Sequence, residues 1–340
     1  MSSNFILKNE NAIFYECGYS CDNALYLSLK DECFFITDAR YSIEAKEHIK
    51  NASVIESNSL IKDAKKLIKK FNIKKISFDP LSFSVSEFKN LSSSLNLNFK
   101  SSPNFSQKKR EIKSQREINL LKEAAKLGEK CFDDLAKFIN ESKNLSEEEI
   151  NFNAQMIFRQ NGALNLSFEP ITAINANAAK AHALPTKTKL KNGDLLLVDG
   201  GIKFKRYSSD RTRTAFFDNK LNFSKDQIYK NQKHQEIYDI VKEAQYQVIK
   251  AIKPGILACE VDSIARDFIA KNGYEKEFFH STGHGVGLDI HELPIISPKS
   301  KTKLKEGMVF SVEPGIYLEN EFGVRIEDVV VVTKNGCEIL

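Results

Sequence analysis

Leu195-Leu-Leu-Val-Asp-Gly-Gly-Ile-Lys-Phe-Lys-Arg-Tyr-Ser-Ser-Asp-Arg-Thr-Arg-Thr-Ala-Phe-Phe217 is the stretch on which the reading of this chain turns. Leu195–Val198 has the composition of a strand, and Tyr207–Phe217 suits a second one. With a turn centred on Phe204 and Lys205, mirror counting sets Asp199 opposite Asp210. Their Cβ atoms would then lie about 5 Å apart. Like charges so opposed destabilise a sheet unless a cation sits between them. A divalent metal meets that need economically. The alternative is that Asp199 merely opens an Asp-Gly turn.

A second pair follows the same logic. Within Val309–Val332, Glu313 and Glu327 stand in apolar sequence on either side of a turn near Asn320, and mirror counting again makes them opposite. A lone carboxylate at Glu327 would be costly to bury beside Ile326 and the valines that follow Asp328. Arg325 shares its face by strand alternation, so a salt bridge between the two is the alternative for that residue.

Histidine is scarce, six in all, and three fall in Phe279-His280-Ser-Thr-Gly-His284-Gly-Val-Gly-Leu-Asp-Ile-His291-Glu292. Their spacing suits no single helical face, and Ile295 stands where a second histidine would complete a helical zinc motif. Gly283, Gly285 and Gly287 match neither dinucleotide nor P-loop patterns; they read as places where a substrate backbone comes close. A fourth histidine, His182, precedes Ala-Leu-Pro and taken singly is as readily a structural residue. His48 and His234 are expected on helix surfaces. Four carboxylates and an imidazole form an oxygen-rich set that favours manganese, cobalt or iron over a structural zinc site. Two ions bridged by carboxylates would hold a hydroxide between them and polarise a carbonyl.

Around these motifs the order of elements implies an α+β protein of two domains. Residues 1–106 alternate strands (Ala12–Tyr15, Ala24–Leu29, Cys33–Thr37, Val54–Glu56, Lys75–Phe78, Leu95–Phe99) with helices (Ile43–Ile49, Leu60–Phe71, Ser84–Leu91), closed by a polar linker at 100–107. Residues 107–340 read as helix, helix, strands, twice over. A long amphipathic helix carries Ile118, Leu121, Ala125, Phe132 and Leu135 on one face, and a capping box at Ser146–Glu149 opens the next. Further helices span about 226–252 and 261–272. Helices covering one face of a curved antiparallel sheet are the expected arrangement.

Composition narrows the partners. A net charge of +5 on 50 basic and 45 acidic side chains, with one short basic cluster at Lys108–Arg110, carries no nucleic-acid footprint. No apolar run is long enough to span a membrane, and the amino-terminal residues lack the pattern of a secretory signal. Six dispersed cysteines read as free thiols in a reducing cytoplasm, with Cys17 and Cys21 in a strand-and-turn region.

Val198-Asp-Gly-Gly, Ser209-Asp-Arg-Thr-Arg-Thr, Thr282-Gly-His-Gly-Val-Gly-Leu, Glu313-Pro-Gly-Ile-Tyr and Arg325-Ile-Glu-Asp, in this order, resemble the motifs of the pita-bread metallopeptidases, and among them the aminopeptidase P and prolidase family. Phe14-Tyr-Glu-Cys-Gly-Tyr and Phe35-Ile-Thr-Asp-Ala-Arg-Tyr resemble that family's creatinase-type N-terminal α/β domain. The resemblance implies a C-terminal pita-bread fold and hydrolysis of the N-terminal Xaa-Pro bond of peptides with proline at the second position. It implies two divalent ions, manganese first, with cobalt, iron or zinc as options. Asp199 would chelate one ion, Asp210 and Glu327 would bridge both, and His284 would bind the other. Glu313 would be a ligand that also handles the proton of the attacking water. His182, His280 and His291 would contact the scissile carbonyl or the substrate ends, and Arg325 would buttress the bridging carboxylates. An opening flanked by Leu288, Ile290 and Pro294 would receive the proline ring. A cytoplasmic homodimer is expected.

Three departures stand out. Arg206 replaces a usual glycine, Asn175 to Ala181 lacks the usual glycine and the proline before the histidine, and Cys17 replaces a threonine. Methionine aminopeptidase shares the five ligands but lacks the front domain. Creatinase shares the fold without needing a metal, and a non-catalytic peptide-binding module on this fold would have lost ligands.

Overall fold

Six strands build the first unit: β1 (Phe5–Leu7), β2 (Ala24–Leu29), β3 (Glu32–Thr37), β4 (Ser53–Glu56), β5 (Lys75–Phe78) and β6 (Asn98–Ser101). They form one sheet in the order β4-β3-β2-β1-β5-β6, with β2 antiparallel to both neighbours and the remaining pairs parallel. Strand alternation explains why every residue of β2 is buried. Leu25, Leu27 and Leu29 join a cluster with Ile36, Ala64 and Ile68, while Ala24 and Tyr26 join the opposite one with Ile13, Phe35 and Ala45. Helices α1 (Glu10–Cys17), α2 (Ser42–His48), α3 (Leu60–Lys70), α4 (Val85–Ser92) and α5 (Phe105–Arg110) complete it. The computed structural model describes residues 4–340, and the chain divides into this unit, which ends at Arg110, and a second running Glu111–Leu340.

Two expectations fail here. Ala12–Tyr15 is helical: the Asn9 side chain accepts from the Ala12 N–H, and Gly18 at φ 78° ends the helix. Cys17 therefore closes a helix rather than a strand. The stretch 100–107 is no linker, because β6 runs through Ser101 and α5 begins at Phe105.

In the second unit every strand pair is antiparallel, as expected for this half of the chain. The helices are α6 (Gln115–Glu141), α7 (Glu147–Phe158), α8 (Gln232–Ala251) and α9 (Ala258–Lys271). Strands β7 (Asn165–Leu166), β8 (Ile171–Ile174), β9 (Leu195–Gly200), β10 (Ile202–Phe204), β11 (Tyr207–Ser208) and β12 (Arg211–Phe216) follow α7. After α9 come β13 (Gly283–Gly285), β14 (Glu292–Ile296), β15 (Val309–Val312), β16 (Gly315–Leu318), β17 (Phe322–Arg325), β18 (Asp328–Val332) and β19 (Cys337–Ile339). Phe132, Leu135 and Ile139 of α6 and Ile150 and Phe158 of α7 pack against Leu196 and Val198 of β9. Ile237, Val241 and Val248 of α8 and Val261 and Ile269 of α9 pack with Phe310, Val312 and Val330. Each half thus covers its strands with two helices. His234, expected on a surface, is half-buried with its ring 4.3 Å from that of Phe322.

The first hairpin turns later than expected. Phe204 pairs with Tyr207, and the tip residues Lys205 and Arg206 both have positive φ, 47° and 76°. Two consecutive left-handed residues make a tight two-residue turn, which accounts for a preference for glycine where this chain has Arg206. Asp199 consequently faces Thr212, with Asp210 two residues earlier on the same side of the strand. The second hairpin keeps the counted register: Gly315 pairs with Arg325 and Val312 with Asp328. Between those pairs the ladder opens, and the Glu313 N–H donates to the Thr282 carbonyl and that of Glu327 to the Thr212 carbonyl.

Candidate metal centre

Strand ends and breaks in the ladders put the candidate ligands side by side. Asp199 lies near the end of β9 and Asp210 just before β12; Glu313 and Glu327 occupy the gap in the second ladder, and His284 sits in β13, where the register slips. Ligand atoms of Asp210, His284 and Glu327 lie within 4.8 Å of one another. His284 Nε2 is 3.6 Å from Asp210 Oδ2 and 3.3 Å from Glu313 Oε1. Its Nδ1 is 3.2 Å from the Gly285 carbonyl, which can only accept, so Nδ1 carries the proton and Nε2 turns a lone pair toward the carboxylates. That is the tautomer a metal requires.

The remaining oxygens are held from behind. Thr212 Oγ1 donates to Glu327 at 2.7 Å and Ser311 Oγ to Glu313 at 3.1 Å. Arg325 donates to Asp199 Oδ2 at 2.7 Å, to Thr212 Oγ1, to the Ala181 carbonyl and to the Tyr317 hydroxyl. The alternative of a salt bridge between Arg325 and its strand neighbour Glu327 does not form, and Arg325 pairs with Asp199 rather than with Asp210 or Glu327, the carboxylates it was expected to buttress. The other Asp199 oxygen, Oδ1, is buried with no hydrogen-bond partner.

Such a cluster resists ionisation without a counter-charge. Burial first, then repulsion from Asp199 and Glu313, raises the Asp210 carboxyl well above the usual range. Burial and the neighbouring Asp210 do the same to Glu327. Glu313 is pushed up to about 7, mainly by burial. Burial also lowers His284, favouring its neutral form. An orphaned Asp199 oxygen among carboxylates that repel one another is what a divalent cation would relieve, so these residues fit a metal.

The other histidines stand apart. His291 is exposed and meets the His284 ring edge-on with centroids 4.2 Å apart, and His182 is exposed on the segment after β8. His280 is engaged at both nitrogens: Nδ1 lies 2.8 Å from the Ser281 carbonyl, so Nε2 accepts from the Tyr317 hydroxyl at 2.9 Å. Burial and Arg325 lower it to about 4. Tyr317, itself raised to about 12 chiefly by burial, had no role in the sequence reading although it closes the motif that begins at Glu313. Also missed was the fully buried ion pair of Lys113 with Glu292, beside His291.

Two more expectations change. Gly283, Gly285 and Gly287 serve the protein's own packing, since a Cβ there would run into the Ser311 carbonyl, the Leu293 carbonyl and the Glu292 carboxyl. Leu288 and Pro294 are buried and cannot flank an opening, whereas Phe279 and Leu184 are 62% and 80% exposed.

An α+β unit that gathers four carboxylates and one imidazole has the donor set of a divalent-metal protein. The sequence pattern of metallopeptidase family M24 matches residues 119–334, and that of the creatinase/prolidase N-terminal domain matches 2–118. An uncharacterized peptidase of Bacillus subtilis, YqhT, is 35% identical over 333 residues, 97% of this chain and 91% of the relative. A solved Xaa-Pro dipeptidase from Bacillus anthracis superposes with a TM-score of 0.91 at 33% identity, covering 99% of this chain and 92% of that one. An X-Pro aminopeptidase from Thermotoga maritima gives 0.88 at 31% identity, covering 99% and 94%. The chain belongs to metallopeptidase family M24, in the aminopeptidase P and prolidase group, and has its creatinase-type front domain and pita-bread fold. It is a metallo-exopeptidase that depends on divalent metal.

Proposed function

We propose that this protein hydrolyses the N-terminal Xaa-Pro bond of peptides, with two divalent ions, manganese foremost, held by Asp199, Asp210, His284, Glu313 and Glu327. The observation that carries the reading is the orphaned Asp199 oxygen among buried carboxylates that repel one another. When bound, the ions supply a nucleophilic water at neutral pH and Lewis-acid polarisation of the scissile carbonyl. Glu313, a carboxylate 3.3 Å from His284 Nε2 that accepts from Ser311 Oγ, would take the proton of that water and pass it on. Arg325 fixes the Asp199 carboxyl in place. His182 and His291, exposed at the rim, are the side chains free to meet the substrate. His280 reaches it only by releasing Tyr317.

An Xaa-Pro bond has no N–H for an enzyme to grip, and its ring fixes φ near −65°. Recognition therefore rests on histidines that meet the carbonyl and an apolar wall for the ring. Phe279, exposed and 5.1 Å from the Tyr317 ring, offers such a wall. The Xaa-Pro specificity of the Bacillus anthracis and Thermotoga maritima relatives supports the same substrate, and the front-domain match weighs against a methionine aminopeptidase. A cytoplasmic homodimer remains our expectation; no helix among the described residues is long and apolar enough to cross a membrane.

The test is a side-by-side assay of Ala-Pro, Ala-Pro-Ala, Ala-Ala-Ala and Met-Ala-Ser with the manganese form. Cleavage of the Ala-Pro bond should exceed that of Ala-Ala by about 10²-fold or more in kcat/KM, near 2.7 kcal/mol. Preference for Met-Ala-Ser would overturn the assignment, as would no turnover of any peptide.

A further inference from the structure

Glu147 is fully buried at the first turn of α7, away from the five ligands. Neither the capping box of that helix nor the metal centre uses its side chain; the box is formed by Ser146 and Glu149. Its carboxyl oxygens instead accept four hydrogen bonds from one segment. The Ile174 N–H donates to Oε1 at 2.6 Å, while Asn177 Nδ2, the Thr186 N–H and Thr186 Oγ1 donate to Oε2 at 2.8, 2.7 and 2.7 Å. Asn177 also donates to the Leu184 carbonyl, and the Glu147 and Glu148 N–H groups reach the Thr188 and Thr186 carbonyls.

These bonds grip both ends of the segment that carries His182. It leaves β8 at Ile174, passes Asn175 at φ 45°, and returns at Thr186. Between the ends lies the Ala181 carbonyl, which accepts from Arg325, followed by an exposed His182. A segment without strand pairing is held in place only by what grips it. Here one buried carboxyl grips both ends, one guanidinium holds the tip, the Asn175 side chain bonds Asp194 and the Leu195 N–H, and Ala178 and Ala183 are buried in the core.

We propose that Glu147 is a positioning residue for peptide hydrolysis, setting where His182 stands by clamping both ends of its segment. The proposal rests on the reading of His182 as a substrate-contacting residue. Gln in place of Glu147 keeps the shape but turns an amide donor on at least one donor of the segment, and Ala removes all four acceptors.

The test compares Glu147→Gln, Glu147→Ala, His182→Ala and the double variant Glu147→Gln/His182→Ala as the full-length, manganese-loaded chain. Glu147→Gln should lower kcat/KM for Ala-Pro-Ala about 10-fold or more, with unchanged metal content. It should act on the same parameter, KM or kcat, that His182→Ala moves. Because both changes act through one side chain, the double variant should be no worse than His182→Ala alone. Amide exchange should quicken in residues 174–186 while β9 and β12 stay protected. Multiplying effects in the double variant, or unchanged exchange of the Ile174 and Thr186 amides in Glu147→Gln, would overturn the proposal. So would full activity of His182→Ala, and if Ala-Pro bonds are still cleaved selectively, that result leaves the Xaa-Pro reading standing.

Discussion

Glu313→Gln should make the metal-free protein more stable and the metal-loaded protein nearly inert. Burial raises the Glu313 carboxyl from 4.5 to about 7. The folded protein therefore binds that proton more tightly than the unfolded chain, and the stability this confers is fully present below pH 4.5 and lost as pH rises through 7. That difference in proton binding costs the metal-free protein a few kcal/mol above pH 7. Glutamine has nearly the same shape, can still accept from Ser311 Oγ, and carries no charge to bury. In chelator, urea unfolding from pH 4.5 to 8.5 should show the variant drawing ahead of the native protein between pH 4.5 and 7, then holding a constant lead of a few kcal/mol. Saturating manganese should shrink that lead, because an ion that binds only the folded state contributes about 2.7 kcal/mol at one hundred times its Kd and the variant offers it one charge fewer. Turnover of Ala-Pro-Ala should fall by about 10²–10⁴-fold in kcat. A variant no more stable than the native protein in chelator at pH 8, with the same pH slope, would refute the idea that these carboxylates are held against their own repulsion. A near-normal kcat would move the proton-handling role elsewhere.

Asp210→Asn should lower occupancy of both ions together, as a bridging ligand serves both; elemental analysis showing two tightly held ions in the variant would refute the bridging assignment. Arg325→Met strands the Asp199 carboxyl, and breaking a buried pair costs about 3–5 kcal/mol, so a melting temperature lower by about 10 °C is expected in chelator. A drop of under 2 °C by calorimetry would show that the pair matters little. His280, lowered to about 4, binds its proton less tightly folded than unfolded, so its contribution to stability is present above pH 6.5 and lost as pH falls through 4. His280→Asn should thus lose less stability than the native protein between pH 6.5 and 4, which parallel urea titrations would check.

The sequence by itself determined the chemistry and most of the elements. Short apolar runs placed β2, β3 and β5, the recurrence of apolar residues placed α6, a capping box opened α7, and carboxylates and scarce histidines in strand-rich sequence marked Asp199, Asp210, His284, Glu313 and Glu327, which the structure brings together. The misplaced first turn cost the predicted pairing of Asp199 with Asp210, since Asp199 faces Thr212, but it left the two on the same side: the register moved by two residues, and a strand keeps its faces under a shift of two. The helix at Glu10–Cys17 was misread because its decisive signals, the Asn9 cap and the Gly18 terminator, lie outside its apolar run. Only the tertiary structure decided the partners. Arg325 chose Asp199, 126 positions away, over its strand neighbour Glu327, His280 bonded to Tyr317, and Glu147 closed on Asn177 and Thr186 rather than on its own helix. Local periodicity reports which side of an element a residue occupies. Which donor meets which acceptor depends on how distant segments close on one another, and no period in the chain records that.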